Sequence, residues 1–338
     1  MEARVLSVQS HVVHGYVGNK SVVFPLQLLG FDVDAINSVQ LSNHTGYKKF
    51  GGQVLTDKDL LQLINPLIEN GLDSLYSHIL SGYIGSASFL YEVTKLVKHL
   101  KTKNPDIVYV CDPVMGDNGK MYVPPELVTI YKEFVVPLAT IITPNLFEAE
   151  LLSEIKINEE KDVWEAVDIL HSKGCPIVVI SSAELGDRDH LQIFASQKGD
   201  YPVTNLLVLF TQPHLFHTFA AFSFISHHHS LTCLEPVQSE TIEILGDSPK
   251  RVQMQIPKVP AHFTGTGDLF AGLFLAWMHK TQDMKESIEK TIASLQAVLK
   301  RTFEHGKEIN VKNLELRLIQ SKKDIEEPQV VYEAVPVA

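Results

Sequence analysis

Apolar and polar positions follow two different periods along the first two-thirds of the chain. Short apolar runs without helical spacing predict buried parallel strands, and longer stretches with apolar residues three or four positions apart predict amphipathic helices. The predicted strands are Arg4–Val8, Phe31–Ile36, Ser77–Leu80, Ile107–Cys111, Thr140–Ile142 and Ile177–Ile180. The predicted helices are Asn19–Leu29, Asp57–Glu69, Ser86–Lys101, Glu126–Phe134, Asn145–Leu152 and Glu159–Ser172.

The regular alternation of strand and helix predicts an α/β fold of the doubly wound type, with a mostly parallel sheet flanked by helices. The C-terminal part is predicted to be mostly helical, with helices at Thr266–Lys280, Met284–Phe303 and Lys312–Ser321. We expect residues 1–338 to form a single domain, because strands and helices of one architectural type run through most of the chain.

One segment departs from this pattern. Residues Tyr201–Leu234 contain no Asp, Glu, Lys or Arg, although charged residues make up 20% of the chain. The stretch Leu206–Ile225 is long enough to cross a membrane, but Gln212 and Pro213 near its middle argue against a span. We interpret residues 203–238 as an apolar insertion that interrupts the domain.

The composition and net charge of the chain limit the kinds of partner that we expect it to bind. The chain has 29 Lys and Arg against 40 Asp and Glu, a net charge of −11, which argues against binding to nucleic acid. Cys111, Cys175 and Cys233 are too far apart for a disulfide framework or a paired metal site. Because the N-terminus also lacks a secretory signal pattern, we expect a protein of the cytosol with no membrane partner.

The strongest candidate for chemistry is the sequence HFTGTGD at residues 262–268, where a glycine-rich turn leads directly into a predicted helix. Unpaired backbone N–H groups and the helix dipole together favour an anion there, most often a phosphate. Asp268 also has an ordinary structural interpretation as a helix cap. The motif is neither a Walker A sequence nor a dinucleotide-binding fingerprint, because it lacks Gly-Lys-Ser/Thr and follows no first strand.

Polar and glycine-rich clusters follow the predicted carboxyl ends of five strands, where open α/β sheets bind ligands. These clusters begin at Ser10, Ser42, Ser81, Asp112 and Thr143. Three acids, Asp112, Asp117 and Glu148, lie in or beside them. Carboxylates near a phosphate need a cation between them, and Mg²⁺ is typically held by one or two carboxylates together with phosphates and water.

Several segments together resemble the pyridoxal kinases of the ribokinase-like superfamily. They are SVQSHVVHGYVGNKSVVFPLQLLGFDVDAINSVQLSNHTGY, SGYIGS, VCDPVMGD, MYVPPEL, ITPNLFEAELL, GTGDLFAGLFLAW and LRLIQSKKDIEEP. The resemblance covers about residues 4–201 and 240–328. The motifs in VCDPVMGD, ITPNLFE and GTGD are shared across the superfamily, whereas SVQSH and SNHTGY point to a pyridoxal-type substrate.

The resemblance implies a ribokinase-like fold, a homodimer and ATP-dependent phosphorylation of the 5′-hydroxymethyl group of pyridoxal, pyridoxamine and pyridoxine. Asp268 resembles the catalytic base, and the positions that resemble the anion hole are Gly265, Thr266 and Gly267. The positions that resemble the ring-binding residues are Ser10, Val17, Thr45 and Tyr83, with Val39, Leu41 and His44 close by. The positions that resemble ATP-binding residues are Asp117, Asn145, Glu148, Ser181, Ser182, Val259 and Thr266, with Tyr122 in a flap over the nucleotide.

The resemblance also implies metal ions. A divalent cation, Mg²⁺ or alternatively Zn²⁺, would accompany ATP, and Asp112 and Thr143 match a site for a monovalent cation, K⁺ or Na⁺. The full set of metal-binding positions is Asp112, Asp117, Thr143 and Glu148.

The sequence differs from the animal pattern in three places. The flap after Asp117 is shorter, Gly85 stands where mammalian forms carry a basic residue, and residues 203–238 have no counterpart. We expect this last segment to lie between an edge strand that ends near Ser196 and a strand at Thr241–Leu245. Two alternatives remain open: a hydroxymethylpyrimidine kinase of the same superfamily, and a catalytically silent variant that only binds the vitamin or a partner.

Overall fold

The computed structural model describes residues 3–187, 189–199, 201, 248–306 and 308–337. The strands in these residues are β1 (Arg4–Val12), β2 (Asp32–Leu41), β3 (Gly52–Val54), β4 (His78–Ser81), β5 (Val108–Cys111), β6 (Gly116–Asp117), β7 (Lys120–Met121), β8 (Ile141–Ile142), β9 (Ile177–Ala183), β10 (His190–Gln197), β11 (Lys250–Pro257) and β12 (Val335–Val337). The α-helices are α1 (Asn19–Leu28), α2 (Asp57–Glu69), α3 (Ala87–Lys103), α4 (Glu126–Ile130), α5 (Leu146–Ser153), α6 (Glu160–Ser172), α7 (Thr266–Thr281), α8 (Met284–His305) and α9 (Lys322–Glu326).

Ten of the strands form one sheet in the order β12-β11-β10-β9-β8-β5-β4-β1-β2-β3, and β6 pairs with β7 in a separate hairpin. The strands from β9 to β2 in this order are parallel. Antiparallel strands extend both ends, β3 beside β2 and β10, β11 and β12 beside β9. The predicted doubly wound, mostly parallel sheet is therefore confirmed.

The central parallel strands β4, β5 and β8 are buried on both faces, which explains their apolar runs. In β1, Leu6 and Val8 belong to the hydrophobic cluster that includes Phe89 of α3. Val5, which directly precedes Leu6, belongs to the opposite cluster, which includes Phe274 of α7. Successive side chains of a strand point to opposite faces, so one sequence stretch builds both halves of the core.

The structure corrects several predicted elements. Ser10 and His11 do not follow β1 but lie within it, since the strand continues to Val12. The helix predicted at Glu126–Phe134 is α-helical only to Ile130 and continues as one wide turn of π-helix and a short 3₁₀ turn. The helix predicted at Lys312–Ser321 is wrong, because regular helix in this region is limited to a 3₁₀ turn at Ile319–Ser321 and to α9.

The strand that ends near Ser196 is β10, and its predicted edge position is also wrong. It lies between β9 and β11, and β12 forms that edge of the sheet. The interrupting segment at 203–238 and the strand expected at Thr241–Leu245 lie outside the described residues. Within the part of the chain that the structure describes, no helix is long and apolar enough to cross a membrane.

Candidate active site

The carboxyl ends of the parallel strands lie along one edge of the sheet, and backbone hydrogen bonds hold the loops that follow them. The N–H of Asp112 donates to the carbonyl of Ser81 at 2.9 Å, and the N–H of Thr143 donates to the carbonyl of Cys111 at 3.0 Å. Three neighbouring strand ends are thereby connected in series. The polar residues that the sequence predicts at these ends are consequently held at fixed spacings.

Asp268 lies in the first turn of α7, at the end of the helix where backbone N–H groups are free to bind an anion. Its carboxylate oxygen Oδ2 accepts a hydrogen bond from the N–H of Gly18 at 2.8 Å. Burial raises the pKa of Asp268, and the Gly18 hydrogen bond opposes that shift. The result is a carboxylate of increased basicity, which suits a general base.

The turn before α7 packs tightly on the loop that follows β1. Gly265 caps the helix with a φ of +85°, and a Cβ atom there would overlap the carbonyl oxygen of Tyr16. Gly18 has a φ of +52°, and a Cβ atom there would overlap Ser10. Both positions therefore require glycine, and the close contact of Gly265 with Tyr16 sets the distance between the start of α7 and the loop of residues 13–18.

Two buried oxygen atoms at the strand ends have no hydrogen-bond partner among the described residues: Oδ2 of Asp112 and Oγ1 of Thr143. A Cβ atom on Gly267 would lie 3.5 Å from Oδ2 of Asp112, so the carboxylate is directed at the helix end. Burial raises the pKa of Asp112, and the charges of Glu148 and Asp268 raise it further. Unpartnered hard oxygen atoms in a site of excess negative charge fit a small cation.

Glu148 has a structural task as well as a predicted ligand role. It forms a capping box with Asn145 at the start of α5, where each side chain accepts the other residue's backbone N–H at 2.9 Å. Its Oε1 also accepts the N–H groups of Met115 at 2.9 Å and Gly116 at 3.4 Å. Burial raises the pKa of Glu148 although these backbone N–H groups lower it. Glu148 and Asn145 thus fix the base of the β6–β7 hairpin.

That hairpin carries the predicted flap residues. Asn118 and Gly119 form its two-residue turn with positive φ values, as an Asn-Gly turn typically does. Asp117 lies in β6, and its Oδ2 accepts a hydrogen bond from the Asn118 amide at 3.1 Å. The Tyr122 side chain is 49% exposed. An exposed aromatic ring on a short hairpin is available to contact a ligand.

The other predicted residues lie on the same edge of the sheet at various depths. Ser181 and Ser182 are partly exposed at the end of β9, and Val259 lies two residues beyond β11. Ser10 and Val17 are buried, Thr45 is exposed and Tyr83 is half-buried, as the burial of each residue shows. Because Gly85 has no side chain, it leaves room for the Tyr83 hydroxyl group. A Cβ atom at position 85 would lie only 2.9 Å from the hydroxyl oxygen of Tyr83.

Three acids were predicted to act as ligands together with Thr143, but the structure does not gather them into a closed metal site. Among residues 3–187, 189–199, 201, 248–306 and 308–337, no group of three or more His, Cys, Asp or Glu side chains is arranged to hold a metal ion. A divalent ion would therefore need oxygen atoms from a bound nucleotide, as Mg²⁺ commonly does.

Sequence reasoning missed the residues that hold the site together. The carboxylate of Glu315 accepts hydrogen bonds from the N–H of Tyr16 at 3.1 Å and from the hydroxyl of Tyr47 at 2.8 Å. Gly18, which holds Asp268, was also not singled out. The signals were present, since glycines interrupt the loop after β1 and a lone acid stands among leucines at Leu314 and Leu316.

These features define a class of protein. An open, mostly parallel sheet, a helix whose N-terminal end carries an acid beside a glycine turn, and a hairpin flap are the architecture of a ribokinase-like kinase that acts on small molecules. The solved structure of a pyridoxal kinase from Leishmania donovani, in complex with ADP and pyridoxamine, is similar to this one. It is 32% identical in sequence with a TM-score of 0.82, and the match covers 100% of both chains.

Sequence relatives identify the family within this class. The chain is 46% identical to a pyridoxal kinase of Arabidopsis thaliana over 98% of its own length and 94% of the relative. It is 44% identical to a human pyridoxal kinase over 98% of each chain. A family model described as phosphomethylpyrimidine kinase matches residues 68–208. The chain belongs to the pyridoxal kinase family.

Proposed function

We propose that this chain transfers the γ-phosphate of ATP to the 5′-hydroxyl group of pyridoxal, and likewise of pyridoxamine and pyridoxine. The observation that carries the proposal is the position of Asp268, in the first turn of α7 and hydrogen-bonded to Gly18 of the loop after β1. The residues that resemble the vitamin site lie at the end of β1 and in the loops that follow β1, β2 and β4. The residues that resemble the ATP site lie in the hairpin flap, at the starts of α5 and α7, at the end of β9 and just beyond β11.

The chemistry follows from the contacts of these residues. Asp268 takes the proton of the 5′-hydroxyl group as the hydroxyl oxygen attacks the γ-phosphorus, the bond from that phosphorus to the bridging oxygen breaks, and ADP leaves. The raised pKa of Asp268 favours the proton transfer. The backbone N–H groups at Gly265, Thr266 and Gly267 bind the oxygens of the transferring phosphoryl group. Because phosphoryl transfer depends mainly on positioning and on stabilising charge, these two tasks account for most of the catalytic contribution of α7.

The proposed metal sites agree with the unpartnered oxygen atoms. Asp112 and Thr143 would hold a monovalent cation, K⁺ or Na⁺, and Asp117 and Glu148 would lie near a divalent ion that enters with ATP. When bound, these ions offset the negative charge of the phosphates. Oxygen donors favour Mg²⁺, whereas Zn²⁺ prefers sites that include nitrogen or sulfur.

Three further proposals concern the whole protein. We place it in the cytosol on the strength of its cysteine usage, and we propose a homodimer because of its resemblance to the family. The third is a single domain interrupted at 203–238. It is supported by the register of β10 and β11, in which Gln197 lies opposite Lys250.

One assay separates the proposed function from its alternatives. The purified chain is given ATP and Mg²⁺ together with either pyridoxal or hydroxymethylpyrimidine, and ADP release is measured. We expect turnover with pyridoxal at a kcat/KM far above that with hydroxymethylpyrimidine. The reverse preference would assign the second kinase activity, and pyridoxal binding without turnover would assign a silent vitamin-binding variant.

A further inference from the structure

The C-terminal tail reaches the site at Glu315. The tail is anchored on both sides of this residue, since Leu314, Leu316 and Leu318 are buried. The N–H of Arg317 also donates to the hydroxyl oxygen of Thr302 in α8 at 3.1 Å. The backbone that carries Glu315 is therefore fixed to the core.

The Glu315 carboxylate contacts two loops at once. Oε2 accepts the N–H of Tyr16 in the loop after β1, and Oε1 accepts the hydroxyl of Tyr47 in the loop after β2. Oε1 also lies 3.3 Å from Nε2 of His44. The Nδ1 atom of His44 accepts the N–H of Gly46 at 3.2 Å, so the ring presents its Nε2–H to the carboxylate.

Burial and charge are consistent with an ionised group. The Glu315 side chain is only 13% exposed. Burial raises the pKa of Glu315, but the hydrogen bonds from His44, Tyr47 and Tyr16 outweigh it, and the net shift is downward. Gly15 also approaches so closely that a Cβ atom there would overlap the carboxylate. The loop backbone is thus fitted to a charged acceptor.

These two loops flank the predicted vitamin site. Val17 and Gly18 directly follow Tyr16, and Gly18 holds the proposed base Asp268. Thr45 lies between His44 and Tyr47. Any movement of Glu315 would change the position of both loops relative to Asp268.

We propose that Glu315 is a positioning residue that ties the tail to both vitamin-binding loops and so sets affinity for the vitamin rather than for ATP. The inference rests on the proposed function for the identity of the ligand. The clamp itself is a property of the contacts and can be measured without turnover.

The experiment compares Glu315→Gln with the wild-type chain. A glutamine amide can accept on one side only, and its NH₂ group would face a donor on the other. We expect the KM for pyridoxal to rise about tenfold, the order expected for a lost charge-assisted hydrogen bond, while the KM for ATP stays within about twofold. Tyr47→Phe, which removes one donor, should give a smaller change in the same direction. Glu327→Gln, an exposed acid of the same tail, is the matched control and should change neither constant.

Amide hydrogen exchange provides the readout that is independent of activity. In Glu315→Gln, exchange should accelerate in residues 13–18 and 42–47 and stay unchanged in α7. Unchanged exchange in both loops, or an equal rise in the two KM values together with a lower melting temperature, would overturn the inference. Failure of the proposed function would instead appear as absence of pyridoxal turnover in the wild-type chain, with the exchange difference between the two proteins still present.

Discussion

Asp268 combines a position at a helix N-terminus with a carboxylate held by one backbone N–H. We predict that Asp268→Ala and Asp268→Asn each lower kcat about 10²–10⁴-fold, the usual contribution of a general base. The KM for ATP should change little. Steady-state kinetics with pyridoxal checks this, and Asp268→Asn controls for structure because its amide oxygen can still accept from Gly18. A variant with more than about a tenth of wild-type turnover would contradict the role.

Thr143 allows the monovalent cation to be tested separately from the divalent one. Its hydroxyl oxygen is buried and has no hydrogen-bond partner among the described residues, so Thr143→Val removes a proposed ligand without breaking a hydrogen bond within that part of the chain. We expect the wild-type enzyme to lose activity in EDTA and to gain activity when K⁺ replaces a bulky organic cation. Thr143→Val should keep the requirement for Mg²⁺ and lose the response to K⁺. Full activity in EDTA would refute the divalent requirement, and an equal K⁺ response in both proteins would refute the monovalent site.

His78 makes stability depend on pH. It is 1% exposed and packs against Phe31 and His279, and burial, followed by the nearby charge of His279, lowers its pKa to about 3. An unfolded histidine titrates near pH 6.5, so below that pH the unfolded chain binds a proton that the folded chain does not. The free energy of unfolding should therefore fall by up to about 1.4 kcal/mol per pH unit as the pH drops below 6.5.

The variant His78→Phe keeps an aromatic ring against Phe31 and removes this titration. Urea unfolding at pH 5, 6 and 7 should show a shallower pH dependence in the variant than in the wild-type chain. Other histidines leave some slope in both proteins. Identical slopes would show that His78 does not contribute.

At the start of α5, the side chain of Asn145 holds both the first turn of the helix and the β6–β7 flap. The Asn145 side chain accepts the N–H of Glu148 at 2.9 Å and donates to the carbonyl of Gly116 at 2.8 Å. Asn145→Ala should lose both bonds, costing about 1 kcal/mol of stability and raising the KM for ATP. Asn145→Ser keeps a helix cap and should raise the KM for ATP alone. The KM for ATP is measured alongside chemical unfolding. An unchanged KM for ATP in both variants would show that the flap does not contribute to ATP binding.

Most of the elements predicted from sequence have continuous apolar runs or clear amphipathic spacing. The ends were less well predicted, since β1 and β2 continue four and five residues beyond their predicted ends. Strand β11 was missed, although Val252, Met254 and Ile256 alternate with polar residues there. The hairpin β6–β7 was missed because each strand has two residues and no measurable period. The tail was mistaken for a helix, although Leu314, Leu316 and Leu318 recur every second residue, a spacing typical of extended chain.

Within the site, motif residues were predicted and their supports were not. Glycine-rich turns and acids at strand ends can be recognised in a sequence from their residue types. Glu315 lies 47 residues beyond Asp268 in the sequence, and only the packing of the tail brings it near the loops after β1 and β2. A contact of that kind depends on how distant parts of the chain pack together. Local patterns in the sequence do not reveal it.

At the scale of the whole molecule, the junction between β10 and β11 makes a prediction about residues 202–247, which lie outside the described part of the chain. Gln197 and Lys250 are directly opposite in an antiparallel pair, so a short connection is sufficient between them. We expect deletion of Asn205–Pro236 to leave the melting temperature within a few degrees, to raise soluble yield and to keep pyridoxal turnover, with the KM for ATP unchanged or lower. A deletion that lowers stability or activity would show that the segment is an integral part of the protein.

The contact of Glu315 with Tyr16 has a consequence for synthesis on the ribosome. A ribosome makes the chain from its N-terminus, so the loop after β1 emerges well before Glu315. Its carboxylate partner is separated from it by 299 positions and is made correspondingly later. The nascent chain can therefore build the centre of the sheet early, but the proposed vitamin-binding loops gain their clamp only once Glu315 has been translated. A chain that ends prematurely after α8 should have the proposed base Asp268 in place. It should lack the Glu315 contacts that hold the loops after β1 and β2.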